Sequence, residues 1–350
     1  MHQSSFPAID PSAPLFAETI QAVLAGIALG SDTSVAKSKD EASLTSEALQ
    51  TLYTLDGICE VLEWNNEGVS ADETACIWLA QLRWLRTVHG ILPDSAPFAP
   101  DRPLDQLAPT LPSAQLNPTT LAALSEPQMQ LVDKNNYTQA VDDGALLRAV
   151  VLGFLPVPEP STVISLTARS TALTHGSDAA LITAIATALL IRACLSLHLE
   201  GAAETAEHRI VQAVHYVADT LDPETPSAQK IAIFSASARR QSLAQFTQML
   251  RTTQDFATLP NDVMGHFIAT IRQAVSWEEE SSTQQLGTAD LMLAQTPSQA
   301  ALLAAIIAAA YGSTAFHSAV LDPYGFHPAL KLVWKNWCSQ LGITSSPHSH

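Results

Sequence analysis

The chain has 350 residues, 47% of them apolar and 15% charged, with a formal net charge of −17. That length supports a large core in one or two domains, and the acidic balance argues against nucleic acid or an anionic membrane as partner, since both need a basic surface. Abundant alanine, only 14 glycines and few valine-rich alternating runs predict an all-α fold.

Phe16 to Leu29 reads as the first helix, with Pro14 ahead of it and Gly30 behind as a C-cap. Residues 31–42 are polar and read as a loop. Leu44 to Trp64 is a long amphipathic helix broken by Asn65-Asn66-Glu67-Gly68, and Asp72 to Val88 is the next. Eight prolines between Leu92 and Pro127 mark an excursion loop or mobile flap within one domain spanning residues 1–345. Helices follow at Gly144 to Leu155, Ser161 to Leu173, Ala203 to Leu221, Pro226 to Thr252 and Asn261 to Val275. The last five residues are expected to be a disordered tail.

Two segments are apolar on every side, Ala179 to Leu199 and Gln299 to Tyr311. The first carries Arg192 and His198, and the second is too short to span a bilayer, so both are expected as buried core helices. Cys59, Cys76, Cys194 and Cys338 show no CxxC or zinc spacing, which points to reduced, buried thiols. With no basic segment ahead of an apolar stretch at the N-terminus, a cytoplasmic location is expected.

Four short stretches at helix ends are candidates for chemistry, because helix N-termini leave N–H groups unpaired and favour anions. These are Gly26 to Asp32, Ser70-Ala71-Asp72-Glu73-Thr74, Asp142-Asp143-Gly144-Ala145-Leu146-Leu147-Arg148, and Leu173-Thr174-His175-Gly176-Ser177-Asp178. Singly, each also reads as ordinary capping. The adjacent oxygens of Asp72, Glu73 and Thr74 suit a hard cation.

In their order along the chain these stretches resemble the ADP-ribosylglycohydrolase family, relatives of the dinitrogenase reductase-activating glycohydrolase. The best-matching block is GALLRAVVLGFLP through ALTHGSDAALITAIATALLIRACLSLHLEG, residues 144–201. The resemblance implies an all-α, single-domain bundle with a two-magnesium centre that cleaves the bond joining ADP-ribose to a protein side chain. It implies metal ligands in a T-D-D-T run and a late D-x-D-T run, and a G-N-G-A-x-x-R loop and a T-H loop that hold the ADP-ribose.

Carried over residue by residue, the T-D-D-T run falls on Ala71-Asp72-Glu73-Thr74, with Asp72 and Glu73 as catalytic candidates. Asp72, Glu73, Thr74 and Ser298 are residual metal-binding candidates. The late run falls on Gln295-Thr296-Pro297-Ser298, where both carboxylates are missing. G-N-G becomes Asp142-Asp143-Gly144. Asp143, Gly144, Ala145 and His175 are the candidate ligand-binding set. Two neighbouring Mg2+ ions need several carboxylates to offset their repulsion. The sequence therefore predicts a degenerate magnesium site in a protein that binds an ADP-ribosyl-type ligand, an ADP-ribosylated protein or another protein partner, with little or no hydrolysis. The alternatives are an active hydrolase with a reduced or relocated metal site, and an immunity-type or regulatory protein whose acidic face binds a basic partner.

Overall fold

The computed structural model describes residues 9–32, 43–90, 92–108, 116–201, 208–229, 231–252, 259–280, 285–291 and 293–343. The chain forms α1 (Phe16–Ser31), α2 (Ser46–Asn66), α3 (Glu73–His89), α4 (Pro118–Leu124), α5 (Leu146–Val150), α6 (Pro160–Ala172), α7 (Asp178–Leu199) and α8 (Arg209–Leu221). It continues with α9 (Pro226–Gln229), α10 (Ser237–Arg251), α11 (Val263–Glu280), α12 (Thr288–Leu291), α13 (Pro297–Tyr311), α14 (Ser318–Gly325) and α15 (Pro328–Gln340). Among the described residues the only β-type pairings are two isolated bridges, Leu131 with Lys134 and Leu286 with Phe316.

The two helices that are apolar all round form the centre. Neither has a polar face to offer to water, so each must be covered on every side. α13 is enclosed by α1, α5, α7 and α11, and Leu302, Leu303, Ile306, Ile307 and Ala309 are all buried. Each large aliphatic side chain contributes about 1.5–3 kcal/mol on burial. α7 is long and apolar enough to cross a membrane by length and composition alone, but 94% of its most apolar window is buried inside the fold. The four cysteines are unpaired and buried.

Gly30 is a packing residue. The sequence suggested a helix-ending glycine there, but α1 runs on to Ser31. A methyl group at position 30 would lie 2.5 Å from Ala300 O and from Ala301 Cα, and one at Gly26 would lie 3.2 Å from Ala304 O. The i, i+4 spacing of these glycines puts both on the face that meets α13, so the two backbones touch. This contact brings the C-terminus of α1 beside the N-terminus of α13.

α2 and α3 form an antiparallel hairpin. Gln50 donates to Gln81 Oε1 at 3.3 Å, Gln81 donates to Thr54 Oγ1 at 2.9 Å, and Gly57 lies against Cys76 and Ile77. The turn after α2 is made by Gly68, whose φ of 79° is left-handed. Val69 N–H donates to Trp64 O at 2.8 Å and Gly68 N–H to Asn65 O at 3.0 Å, so the last carbonyls of α2 are satisfied by the turn itself.

The proline-rich stretch, expected as an excursion loop or mobile flap, is tied to α2 and α3 over its described part. Arg83, almost fully buried, donates to Asp56 at 2.6 Å and to Asp105 at 3.1 Å. Arg102 grips Glu63 with both terminal nitrogens at 2.8 Å and Asp56 at 3.0 Å. Leu104, Leu116 and Leu124, within this stretch, are buried. The single helix expected over 226–252 is interrupted between Gln229 and Ser237. Arg239 and Arg240 donate to the carbonyls of Ile233 and Phe234 at 2.7 and 2.9 Å, so side chains satisfy carbonyls that a continuous helix would pair internally. The expected disordered tail, residues 203–207 of the expected helix and most of the 31–42 loop lie outside the described residues.

Candidate functional site

The turn between α6 and α7 delivers His175 to the protein interior. Ser177 caps α7 by accepting from Ala180 N at 3.1 Å, and donates to Ala140 O, which ties this turn to residues 135–144. His175, Thr174 and Arg148 are all buried. Arg148 donates to Thr174 Oγ1, the Thr174 hydroxyl meets His175 Nδ1 at 2.8 Å, and His175 Nε2 lies 2.9 Å from Asp142 Oδ1. The partners fix the tautomer: the carboxylate requires a proton on Nε2, leaving Nδ1 to accept from Thr174. Burial lowers the His175 pKa, favouring the neutral imidazole, with the Asp142 contact opposing it.

Asp142 is the hub of this region. Its Oδ1 also accepts from Asn117 Nδ2 at 2.8 Å and from Gly144 N at 3.1 Å, and its Oδ2 accepts from Thr119 at 2.7 Å. Burial alone would raise its pKa, but the bonds from His175, Thr119 and Asn117 hold the carboxyl well below the usual range. Gly144 is required for this closeness, because a methyl group there would lie 2.6 Å from the Asn117 side chain. Arg148 is pulled down to about 10 by burial, with Asp142 acting the other way, and remains charged at neutral pH. Its Nε and one terminal nitrogen have no hydrogen-bond partner.

The mouth of α13 lies beside this hub. Thr296 caps the helix, accepting from Gln299 N at 3.2 Å, while Gln299 Oε1 accepts from Gln295 N at 2.9 Å and Thr296 N at 3.2 Å. Pro297 occupies the first helical position, where its missing N–H costs nothing. Asp143 Oδ2 accepts from Thr296 Oγ1 at 3.4 Å and lies 3.8 Å from His266 Nδ1. Glu47, in the first turn of α2, has its pKa raised by burial and further by Asp143. Thr45, which caps α2, donates to Ser31 at 2.8 Å. The N-termini of α2, α11 and α13 thus gather around Asp143.

The structure brings together Asp143, Gly144, Ala145 and His175, with Ser298 half-buried in the first turn of α13. It does not bring Asp72, Glu73 and Thr74 to them. Asp72 caps α3 by accepting from Ala75 N at 2.8 Å, Glu73 faces Arg169 at 3.5 Å, and Thr74 is buried. Because α3 runs antiparallel to α2, its start lies beside the far half of α2. At 1.5 Å per residue that is about 20 Å along the axis from Glu47. The helix start tied to this region is that of α2, through Thr45, which bonds Ser31 at the end of α1, and Glu47, which feels the charge of Asp143. Sequence reasoning missed Glu47, His266 and Gln299; each is a single polar residue in a helical first turn, with no local spacing to mark it. Among the described residues no three of His, Cys, Asp and Glu converge as a metal-ligand group.

The family model of the ADP-ribosylglycohydrolases matches residues 16–333. The chain belongs to the ADP-ribosylglycohydrolase family. A solved structure titled an ADP-ribosylglycohydrolase-related protein complex is similar to it in fold, with a TM-score of 0.52 at 13% identity, over 93% of this chain and 97% of the other. No curated protein matches the chain in sequence. In this member of the family the mouth of the central helix is capped by the Thr296 hydroxyl and the Gln299 amide, with Asp143 bonded to Thr296 and Glu47 close enough to Asp143 to feel its charge.

Proposed function

We propose that this protein is a non-hydrolytic ADP-ribosylglycohydrolase homologue that acts by binding an ADP-ribosyl-type ligand or a protein partner. One observation carries the reading: the backbone N–H groups of Gln295, Thr296 and Gln299 at the mouth of α13 are capped by the chain's own side chains. Thr296 and Gln299 cap each other, and Asp143 accepts from Thr296. A pair of Mg2+ ions needs several oxygen anions and retained waters. The mouth offers two carboxyls, and both already accept hydrogen bonds. This donor set does not fit a binuclear centre, so no catalytic step is assigned to metal here.

Titration with Mg2+ tests the proposal. The expected result is no binding, or one weak site. Two ions bound per chain with micromolar affinity would contradict it. The second reading, a hydrolase with a relocated single metal, is favoured by the electrostatic coupling of Glu47 to Asp143. It requires one tight Mg2+ site that Glu47→Gln removes. The protein-partner form of the proposal draws support from the fold neighbour having been solved as a complex.

A further inference from the structure

The far end of α13 builds a cavity of its own. Gly312 ends the helix with a φ of 69°, and the chain makes a short turn at Ser313–Ala315 before α14 begins. Ser313 donates to Glu18 Oε1 of α1 at 2.6 Å. On the other side, Leu286 N donates to Ala315 O at 2.7 Å and Gln285 Nε2 to Thr314 O at 3.2 Å. These bonds fix the turn, and between it, Gln285 and the first turns of α14 lies a cavity of about 390 Å³. Small-molecule sites run from about 300 to 1,000 Å³. α13 is 15 residues long, so at 1.5 Å per residue this cavity stands about 20 Å from the mouth of the helix. Phe316 and Leu321 line it and are buried. Half-buried Asp322 and the exposed His317 and Ser318 line it too, and their side chains bond to no described residue. Among the described residues that line it, Asp322 is the one carboxylate, and none is lysine or arginine.

We infer that this cavity is a second binding site, for a free small organic cation with an ammonium or guanidinium head on a short apolar body. The Asp322 carboxylate takes the head through charge-assisted hydrogen bonds. The body lies against Phe316 and Leu321, where apolar surface leaves water on binding. The Ser318 hydroxyl and the His317 ring are the remaining polar groups that orient the ligand. A half-buried carboxylate without a partner has lost part of its hydration, so a cation gains more there than beside a fully exposed acid. Glu18, one hydrogen bond behind Ser313, adds to the negative field, and the net charge of −17 raises the concentration of cations near the surface. The site is separate from the mouth of α13 and stands whether or not that mouth binds an ADP-ribosyl group.

The test uses the full chain and four probes that share one body and differ in the head: butylammonium, butylguanidinium, butyrate and butanol. Each is titrated by calorimetry, with the His317 ring signals in NMR as the local readout. Both cations are expected to bind in the millimolar range or more tightly, at least tenfold better than butyrate or butanol, and to move the His317 signals. Asp322→Asn, which breaks no hydrogen bond of the fold, is expected to reduce both cations to the level of butanol. Ala319→Trp, a bulky substitution at an exposed residue of the cavity wall, is expected to remove binding of every probe, and Glu67→Gln, an exposed substitution elsewhere, to change nothing. Butyrate binding as well as the cations overturns the inference. So does cation binding that survives both cavity variants, or the lack of any cation binding at millimolar concentration. Tighter binding of a glycyl-arginyl-glycine peptide than of butylguanidinium contradicts a free small molecule as the occupant. None of these results bears on Mg2+ binding or hydrolysis, so failure here and failure of the non-hydrolytic reading are distinguishable.

Discussion

His175 Nε2 donates to Asp142 Oδ1 across 2.9 Å, joining the turn ahead of α7 to the loop ahead of α5. The same carboxylate ties in Asn117 and Thr119 at the start of α4. One acid thus holds three segments that are far apart in sequence. Replacing Asp142 by alanine leaves the His175 N–H and the Asn117 and Thr119 donors unpaired. A loss of about 1–3 kcal/mol of unfolding free energy is expected in urea denaturation, chiefly from the buried His175 N–H, since Asn117 and Thr119 are only half-buried. Asp142→Asn, which retains one acceptor, is expected to lose less.

Stability is expected to fall on acidification. His175 has a lowered pKa in the folded state, so below its unfolded value of about 6.5 the unfolded chain takes up a proton that the folded chain refuses. The stability is therefore present above about 6.5 and is lost as pH falls toward the folded value. Asp142 is also lowered, and its contribution is lost at still lower pH, beneath the ordinary carboxylate range. His198 and His327 are lowered by burial as well and add to the slope. Each such histidine contributes at most about 1.4 kcal/mol per pH unit. Denaturation midpoints between pH 7 and 5 are expected to fall more steeply for wild type than for His175→Gln.

The α1–α13 contact has no spare room. Gly30→Ala forces a methyl group to within 2.5 Å of the α13 backbone, whereas the same change at Gly26 meets Ala304 O at 3.2 Å. Overpacking costs about 1–3 kcal/mol, so Gly30→Ala is expected near the upper end and Gly26→Ala near the lower. Thermal unfolding of the two variants side by side checks the order.

Arg83 is the anchor of the proline-rich stretch. With Asp56 at 2.6 Å and Asp105 at 3.1 Å, both side chains buried, Arg83→Ala removes their shared cation and leaves Asp56 to Arg102 and Asp105 to Arg86. Because these cations remain, the loss is expected to fall below that of a fully broken buried pair, about 3–5 kcal/mol. Limited proteolysis is expected to cut within 92–108 in the variant before it cuts there in wild type.

The sequence made the core plain because α7 and α13 have no polar face, and a helix of that kind has one destination. It misplaced Gly30, because a glycine that ends a helix and one that admits a neighbouring backbone look alike along the chain. It placed the acidic helix start at Asp72 and Glu73, where two adjacent acids give the stronger local pattern. The start of α2 is tied instead to the end of α1, through Thr45 and Ser31, and the end of α1 packs on α13, a link that no local spacing marks. The break near Ile233 was hidden because Arg239 and Arg240 satisfy the carbonyls from a distance, with no proline or glycine to mark the place.

Release of ADP-ribose from mono-ADP-ribosylated arginine or serine substrates, measured with Mg2+ present, tests the non-hydrolytic reading most directly. A Lewis-acid metal supplies several kcal/mol to such a reaction, and each 1.4 kcal/mol is about tenfold in rate. With the α13 mouth capped by Thr296 and Gln299 and joined to Asp143, release is expected to stay at the level of the buffer control. Turnover within tenfold of about 1 s⁻¹, an ordinary enzyme rate, would contradict it.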